Sequence, residues 1–405
     1  MYNYIKGFDV MVKIKIERYN DQLEGIGYVD NKIIFVPKTM IGDTVDVDIT
    51  YESKNFLRGK LKTDNTRKVD CPFFYNCGGC DLRFLPYDEI ISLKKDNLKK
   101  LLDKNKIVYS DINVIKNKNY FNYRNKISLK IVDGIIGFYE DKSNIITKID
   151  NCLIAKDEIN RLIKIIPNFN ILNGFITIRC NYNNELLIII DTKDKVSYDF
   201  EMLKRDFKIA GVVVNNKTVL NDNFFFDMIN NTLFKVSFNS FFQVNNYCAG
   251  KIFDIIENNI NSSDDVLDLY SGVGTLSVTA AKKARNVIGV EVIKNAVLNS
   301  LVNKDINKLK NVEFILGDVP KVLSKLNNCF NTFIFDPPRA GLDKFTINYT
   351  LNRKPDKIIY VSCNPITLVR DLSYLKDIYN IKEINLIDMF SYTHHYECVV
   401  ILKLK

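Results

Sequence analysis

The sequence predicts an α/β protein: a parallel sheet with helices on both faces, preceded by a small β-barrel and a middle α+β block. Three observations predict it. Apolar runs alternate with helical stretches through residues 231–405, as repeated βα units require. Residues 9–65 show period-2 patterning broken by short turns, which reads as a barrel. Between them, one clear helical stretch is mixed with several strands. At 405 residues the chain exceeds one average core. Three units are therefore expected, over 1–65, 66–230 and 231–405.

The elements follow in order. Val12, Ile14 and Ile16 alternate with polar residues, as do Val45, Val47 and Ile49, and Gly25 and Gly27 precede the run Ile33–Val36. Such barrels often bind single-stranded nucleic acid. The middle block holds a helix over 87–103 and strands over 175–179 and 186–190. In the last block, strands are expected at 266–269, 287–291, 312–316, 332–335 and 358–362, with 384–387 and 398–402 closing the chain. Helices are expected over 275–284 and from after residue 291 to about Lys308.

Composition bounds the function. Hydrophobic residues make up 46% and charged residues 26%, which excludes a disordered or fibrous chain. No apolar run is long enough to span a membrane, and Met1 to Asn20 lack the apolar core and cleavage site of a secretory signal. The net charge is +9. Residues 91–130 carry eleven cations against three anions, a lysine-rich face or a polyanion-binding surface. Tyr87, Tyr120, Phe121 and Tyr123 interleave with these cations, either as base-stacking platforms or as core aromatics.

Nine cysteines without an export signal argue against disulfides. Cys71-x5-Cys77-x2-Cys80, with Cys152 further on, has the thiolate number of structural zinc or of an iron–sulfur cluster; thiol chemistry alone leaves the choice open.

The chemistry concentrates where strands of the last block end. The first ends in Asp268-Leu269-Tyr270-Ser271-Gly272-Val273-Gly274-Thr275, whose glycines permit a tight turn and close ligand approach. Asp268 suits a cationic ligand. Glu291 is placed to meet ribose hydroxyls and Asp318 an adenine edge. Together they fit S-adenosylmethionine, with a nicotinamide as the alternative. Asp336-Pro337-Pro338-Arg339 stiffens the exit of the fourth strand, so that Asp336 can read the edge of a flipped base. Ser362-Cys363-Asn364-Pro365 ends the fifth. Cys363 then lies at the sheet edge just before a helix whose N-terminus would favour a thiolate. Thr393-His394-His395-Tyr396-Glu397-Cys398 contains the only two histidines, without an evident third metal ligand. Its Glu397 is a candidate general base or a solvent-facing strand-end carboxylate.

These motifs, with Phe242-Gln243-Val244-Asn245 and the Cys71, Cys77, Cys80, Cys152 spacing, occur in one order. The chain resembles the RNA uracil-C5 methyltransferases, and specifically their iron–sulfur-containing 23S ribosomal RNA branch. The resemblance spans nearly the whole chain. It implies a TRAM barrel, a central iron–sulfur domain and a Rossmann-like class I S-adenosylmethionine methyltransferase domain. It implies Cys363 as nucleophile and Glu397 as base, with Gln243, Tyr270, Thr275, Glu291 and Asp318 at S-adenosylmethionine. Asp336 would meet cofactor and uracil, and the four cysteines would hold a [4Fe–4S] cluster. A cytoplasmic monomer acting on 23S ribosomal RNA, with no membrane partner, is the expectation. Transfer RNA as substrate, a non-catalytic RNA-binding protein and a radical S-adenosylmethionine enzyme are the alternatives. The chain departs from the family at Ser391, usually proline, and at Tyr270-Ser271, often Phe-Cys.

Overall fold

The computed structural model describes residues 11–62 and 66–405. The first ten residues and the expected boundary at residue 65 lie outside the described residues.

Six strands open the chain: β1 (Met11–Lys15), β2 (Arg18–Tyr19), β3 (Gly25–Val29), β4 (Lys32–Val36), β5 (Thr44–Glu52) and β6 (Phe56–Leu61). They form one sheet in the order β1-β5-β6-β4-β3-β2. Alternation drives it: Ile14, Ile16, Ile34, Val36, Val45 and Val47 all turn into one apolar interior. The sheet curls until the Glu17 amide reaches the Ile26 carbonyl at 2.8 Å. Gly27 permits that approach, since a Cβ there would lie 2.6 Å from the Lys15 carbonyl oxygen.

After the cysteine loop come α1 (Tyr87–Lys104), β7 (Ile112–Ile115), β8 (Lys126–Val132), β9 (Ile135–Tyr139), β10 (Ile146–Lys148), α2 (Asp157–Ile163), β11 (Gly174–Cys180), β12 (Glu185–Thr192), β13 (Lys208–Val214) and β14 (Lys217–Asn221). Strands β8 to β14 form a seven-stranded sheet, ordered β10-β9-β8-β11-β12-β13-β14. One face is filled by Ile127, Leu129, Ile176, Ile178 and Ile188 against α2. A hairpin of β15 (Phe224–Ile229) and β16 (Thr232–Ser237) leads onward.

The last stretch comprises α3 (Asn246–Asn258), β17 (Asp265–Leu269), α4 (Thr275–Ala281), β18 (Asn286–Glu291), α5 (Lys294–Ile306), β19 (Val312–Leu316), α6 (Val319–Leu323), β20 (Thr332–Phe335), α7 (Lys344–Arg353), β21 (Lys357–Ser362), α8 (Pro365–Leu375), β22 (Tyr379–Ile387) and β23 (Glu397–Leu404). Its sheet runs β19-β18-β17-β20-β21-β23-β22-β7. Strands β17 to β21 are parallel, and β23 is antiparallel to both neighbours. Every residue of β21 is buried, because a central parallel strand is covered on both faces. Ile359 and Val361 enter one core with Val399 and Ile401, while Ile358 and Tyr360 enter the other with Val400 and Leu402.

Strand β7 lies within the residues expected to form the middle block. It pairs instead with β22, Ile384 opposite Ile112. Leu98, Leu101 and Leu102 of α1 share a core with Leu368, Val369 and Leu372 of α8. Residues 87–115 thus pack with the C-terminal sheet, and α1 becomes a brace for it.

Candidate active site

Parallel strands put their carboxyl ends on one edge, where ligands of such sheets bind. Tyr270, Glu291, Asp318, Asp336 and Cys363 follow or end β17, β18, β19, β20 and β21 in turn. The turn after β17 is tightly wound: Tyr270, Gly272 and Gly274 have φ of 67°, 56° and 82°. The two glycines differ in purpose. A Cβ at Gly272 would meet nothing within 4 Å, whereas one at Gly274 would lie 2.8 Å from the Phe314 ring. Gly274 is therefore a packing requirement, and Gly272 leaves open space. Tyr270, a non-glycine residue in the left-handed region, is strained; its hydroxyl donates to Asp343 Oδ2 at 3.2 Å.

Glu291 is buried and clamps this turn. Its Oε2 accepts the Gly272 amide at 2.9 Å and its Oε1 the Ile293 amide at 2.7 Å. Val292 and Ile293 beside it are exposed. Asp318 is exposed ahead of α6, and Thr275 is half-buried at the start of α4. Gln243 is half-buried, its carbonyl accepting Asn125 Nδ2 at 3.0 Å. Asp268 departs from expectation. It is fully buried, accepts a hydrogen bond from Ser277 Oγ, and is pushed up to about 8 by burial. Its Oδ1 and the Ser271 hydroxyl are buried without partners.

Antiparallel pairing of β21 and β23 sets Ser362 opposite Cys398. The next step of that register brings Cys363 opposite Glu397. Both line one cavity of about 720 Å³, together with Arg339. Glu397 is 6% exposed, which rules out a solvent-facing role. Burial, then Glu397 and Asp336, push the Cys363 thiol up to about 11, and Arg339 opposes them. Asn364 caps α8 by accepting the Ile366 amide. The helix end favours a thiolate by only about 0.3–1 kcal/mol, and burial with the two carboxyls opposes it. Burial raises Asp336 to about 7. Burial, then Asp336, raise Glu397 well above the ordinary carboxyl range.

The loop bearing Glu397 is braced from far away in sequence. Lys94 of α1, wholly buried, donates to Asp388 Oδ1 at 2.6 Å and to the carbonyls of His395 at 2.8 Å and Phe390 at 3.1 Å. Tyr87 and Ser391 donate to Asp388 Oδ2. The His394 amide and ring meet Asp81 Oδ2, and the Asp81 and Leu82 amides donate to the Tyr392 carbonyl. The cysteine loop is thus fastened to the Glu397 loop. His395 stays neutral: burial, then His394 and Arg339, lower it to about 3. Both histidines line the cavity, His394 held by Asp81.

The structure narrows two open alternatives. Lys94 is not part of a polyanion-binding face, since it is an internal ion-pair partner. Tyr87 stacks on Tyr120 at 4.4 Å between centroids, both half-buried, and Tyr123 is buried in a cluster with Tyr392, so the core alternative holds for Tyr123. Sequence reasoning also missed Phe241, which is 69% exposed and lines the cavity, and Arg339, quoted in its motif without a role. An exposed aromatic beside the Gln243 motif was the available signal.

Cys71, Cys77, Cys80 and Cys152 line the same cavity, and all are free thiols. Burial first, with neighbouring thiols contributing, raises Cys77 to about 11 and Cys80 and Cys152 in the same direction. Among the described residues, no set of three or more His, Cys, Asp or Glu side chains converges on a single ion. No described helix is long and apolar enough to cross a membrane.

The tRNA (uracil-5-)-methyltransferase family model matches residues 86–318 and 321–405. The chain belongs to that family. A TRAM domain matches residues 11–62, the six-stranded barrel. Two relatives, both named as uncharacterized RNA methyltransferases, come from Clostridium acetobutylicum (30% identical, covering 96% of each chain) and Caldanaerobacter subterraneus (31% identical, covering 97% of this chain and all of the relative). The fold is similar to the Pyrococcus abyssi tRNA (uracil-54, C5)-methyltransferase in complex with S-adenosyl-L-homocysteine. The TM-score is 0.78 at 28% identity, covering 96% of this chain and 100% of that one. The protein is an S-adenosylmethionine-dependent RNA methyltransferase of the uracil-5 family with a TRAM barrel and a class I methyltransferase domain.

Proposed function

We propose that the protein forms 5-methyluridine in 23S ribosomal RNA through a covalent bond between Cys363 and uracil C6. The observation that carries this reading is the apposition of Cys363 and Glu397 across the β21–β23 register, at the wall of one large cavity. Uracil C5 is a weak nucleophile in the intact ring. The Cys363 thiol gives its proton to the Asp336 carboxylate, raised by burial to about 7, as its sulfur adds to C6. Addition breaks the ring's conjugation and moves electron density to C5, splitting one hard step into easier ones. S-adenosylmethionine, when bound, supplies an electrophilic methyl group to C5. Glu397, as carboxylate, then removes the C5 proton, and the returning electron pair expels Cys363. Arg339 favours each anionic form. Phe241 offers an exposed ring against which an unstacked base can rest.

The unpartnered Asp268 and Ser271 oxygens, the Glu291 carboxylate and the exposed Val292–Ile293 pair fit an amino-acid, ribose and adenine ligand. Tyr270, Thr275, Asp318 and Gln243 complete the assignment. The four cysteines line one cavity, and four thiols are the ligand number of a [4Fe–4S] cluster as of zinc; the cluster is the reading that the resemblance favours. As ligands of a [4Fe–4S] cluster they would cross-link the loop that holds the Glu397 segment. We assign the units as 1–65 barrel, 66–230 central domain and 231–405 methyltransferase domain, with α1 and β7 docked on the last.

Transfer RNA is the second reading, favoured by the likeness to the Pyrococcus abyssi transfer RNA enzyme. Incubation with labelled S-adenosylmethionine and each RNA, with 5-methyluridine mapped by mass spectrometry, decides. Label in ribosomal RNA alone is expected. Label only in transfer RNA would overturn the substrate, and label in neither would overturn the reaction.

A further inference from the structure

The outer face of the seven-stranded sheet carries cations that have no ion-pair partner among the described residues. On β8, Ile127, Leu129 and Ile131 enter the core, so Lys126, Ser128 and Lys130 share the opposite face. The β8–β11 register sets Lys130 opposite Phe175, Ser128 opposite Thr177 and Lys126 opposite Arg179. Lys130 Nζ lies 3.6 Å from the centre of the half-exposed Phe175 ring, and the Ser128 and Thr177 hydroxyls are 2.8 Å apart.

The third pair is anomalous. Like charges directly opposed on a ladder repel. Arg179 is only 4% exposed. Its Nη2 donates to the Ser240 carbonyl, and its Nε is buried without a partner. Lys126 forms no ion pair among the described residues. Arg124 adds a third cation, its Nε bound to the Lys126 carbonyl at 3.0 Å. No carboxylate contributes to the environment of Lys126, which burial, Arg179 and Arg124 together lower to about 8. Burying cations without a counter-charge is costly. Arg124 and Lys126 also line the cavity that holds Cys363 and Glu397.

We propose that Arg124, Lys126 and Arg179 form a phosphodiester-binding site that anchors the RNA strand beside the target uridine, with the outer face of the β8–β11 ladder as its track. This rests on the uracil-methylation reading above. A phosphate supplies the missing negative charge, and the guanidinium donors match its oxygens. Phe175, Ser128 and Thr177 then offer a ring and hydroxyls along the strand's course.

The test is fluorescence anisotropy of a short labelled uridine-containing RNA against wild-type protein, Lys126→Gln and Ser128→Glu over a range of salt. Lys204→Gln, whose lysine pairs with Glu201 away from this face, is the control. Lys126→Gln is expected to weaken binding about tenfold and to lower the slope of log affinity against log salt by about 0.7. Ser128→Glu, an exposed change that spares the core, is expected to weaken binding similarly by placing an anion on the track. Lys204→Gln should behave as wild type. Unchanged affinity and slope in both test variants, with wild type binding RNA, would overturn the site alone. A wild-type protein that neither binds RNA nor methylates it would overturn the underlying reading as well.

Discussion

Cys363 is a half-buried thiol with two acidic neighbours and one basic one, and its reactivity follows from their balance. Burial and the carboxyls hold it at about 11, so its thiolate fraction in the RNA-free enzyme is small at neutral pH and grows as pH rises. Alkylation of Cys363 by iodoacetamide, followed by mass spectrometry, should accelerate steadily above neutrality. Asp336→Asn removes one of the charges that raise the thiol and should shift that profile to lower pH. Arg339→Gln removes the opposing cation and should shift it higher. Asp268 makes a separate prediction about stability. Its folded pKa of about 8 exceeds the ordinary carboxyl value, so the folded state keeps its proton where the unfolded chain has lost it. Stability therefore falls as pH rises between about 4 and about 8. Asp268→Asn should match wild type in melting temperature near pH ~4 and exceed it near pH ~9.

At the scale of elements, α1 acts on the site through one internal ion pair. Lys94 holds Asp388 and two carbonyls of the segment that ends in Glu397. Lys94→Met leaves Asp388 buried without its cation, and urea unfolding should register a loss of about 3–5 kcal/mol. Lys95→Met, on the same helix but in an exposed pair with Asp111, should change little. The helix was legible in sequence at 87–103, one residue short of its observed end. Strands β17 to β21 were also legible, because buried parallel strands are continuous apolar runs bounded by turns. The partner of β7 was not: Ile112 and Ile384 are joined by a ladder over 270 residues apart, and no local pattern encodes that. Nor was the burial of Lys94 legible, since a lysine within a lysine-rich helix looks solvated until Asp388 arrives from the far end of the chain.

Across the whole molecule, one cavity joins the four cysteines, the basic sheet face and the Cys363–Glu397 pair. The site residues were readable because each follows a strand on the same sheet edge, a placement that topology guarantees. Their protonation was not readable, because burial decides it: the expected Cys363 thiolate is a raised thiol, and the expected Asp268 anion is a buried acid. The cysteine loop contacts the Glu397 loop through Asp81 and His394, so the cluster proposed on the four thiols would support both folding and catalysis. Purified protein should absorb near ~400 nm with iron present; Cys80→Ser should lose that absorbance and melt at lower temperature. A colourless protein containing zinc would contradict the cluster.

The covalent bond between Cys363 and uracil is most directly tested with 5-fluorouridine-substituted ribosomal RNA and S-adenosylmethionine. Fluorine at C5 cannot leave as a proton does, so elimination should stall. The account predicts a denaturant-stable protein–RNA adduct mapping to Cys363 and absent from Cys363→Ala. Methyl-transfer-competent enzyme that forms no adduct with this RNA would contradict it.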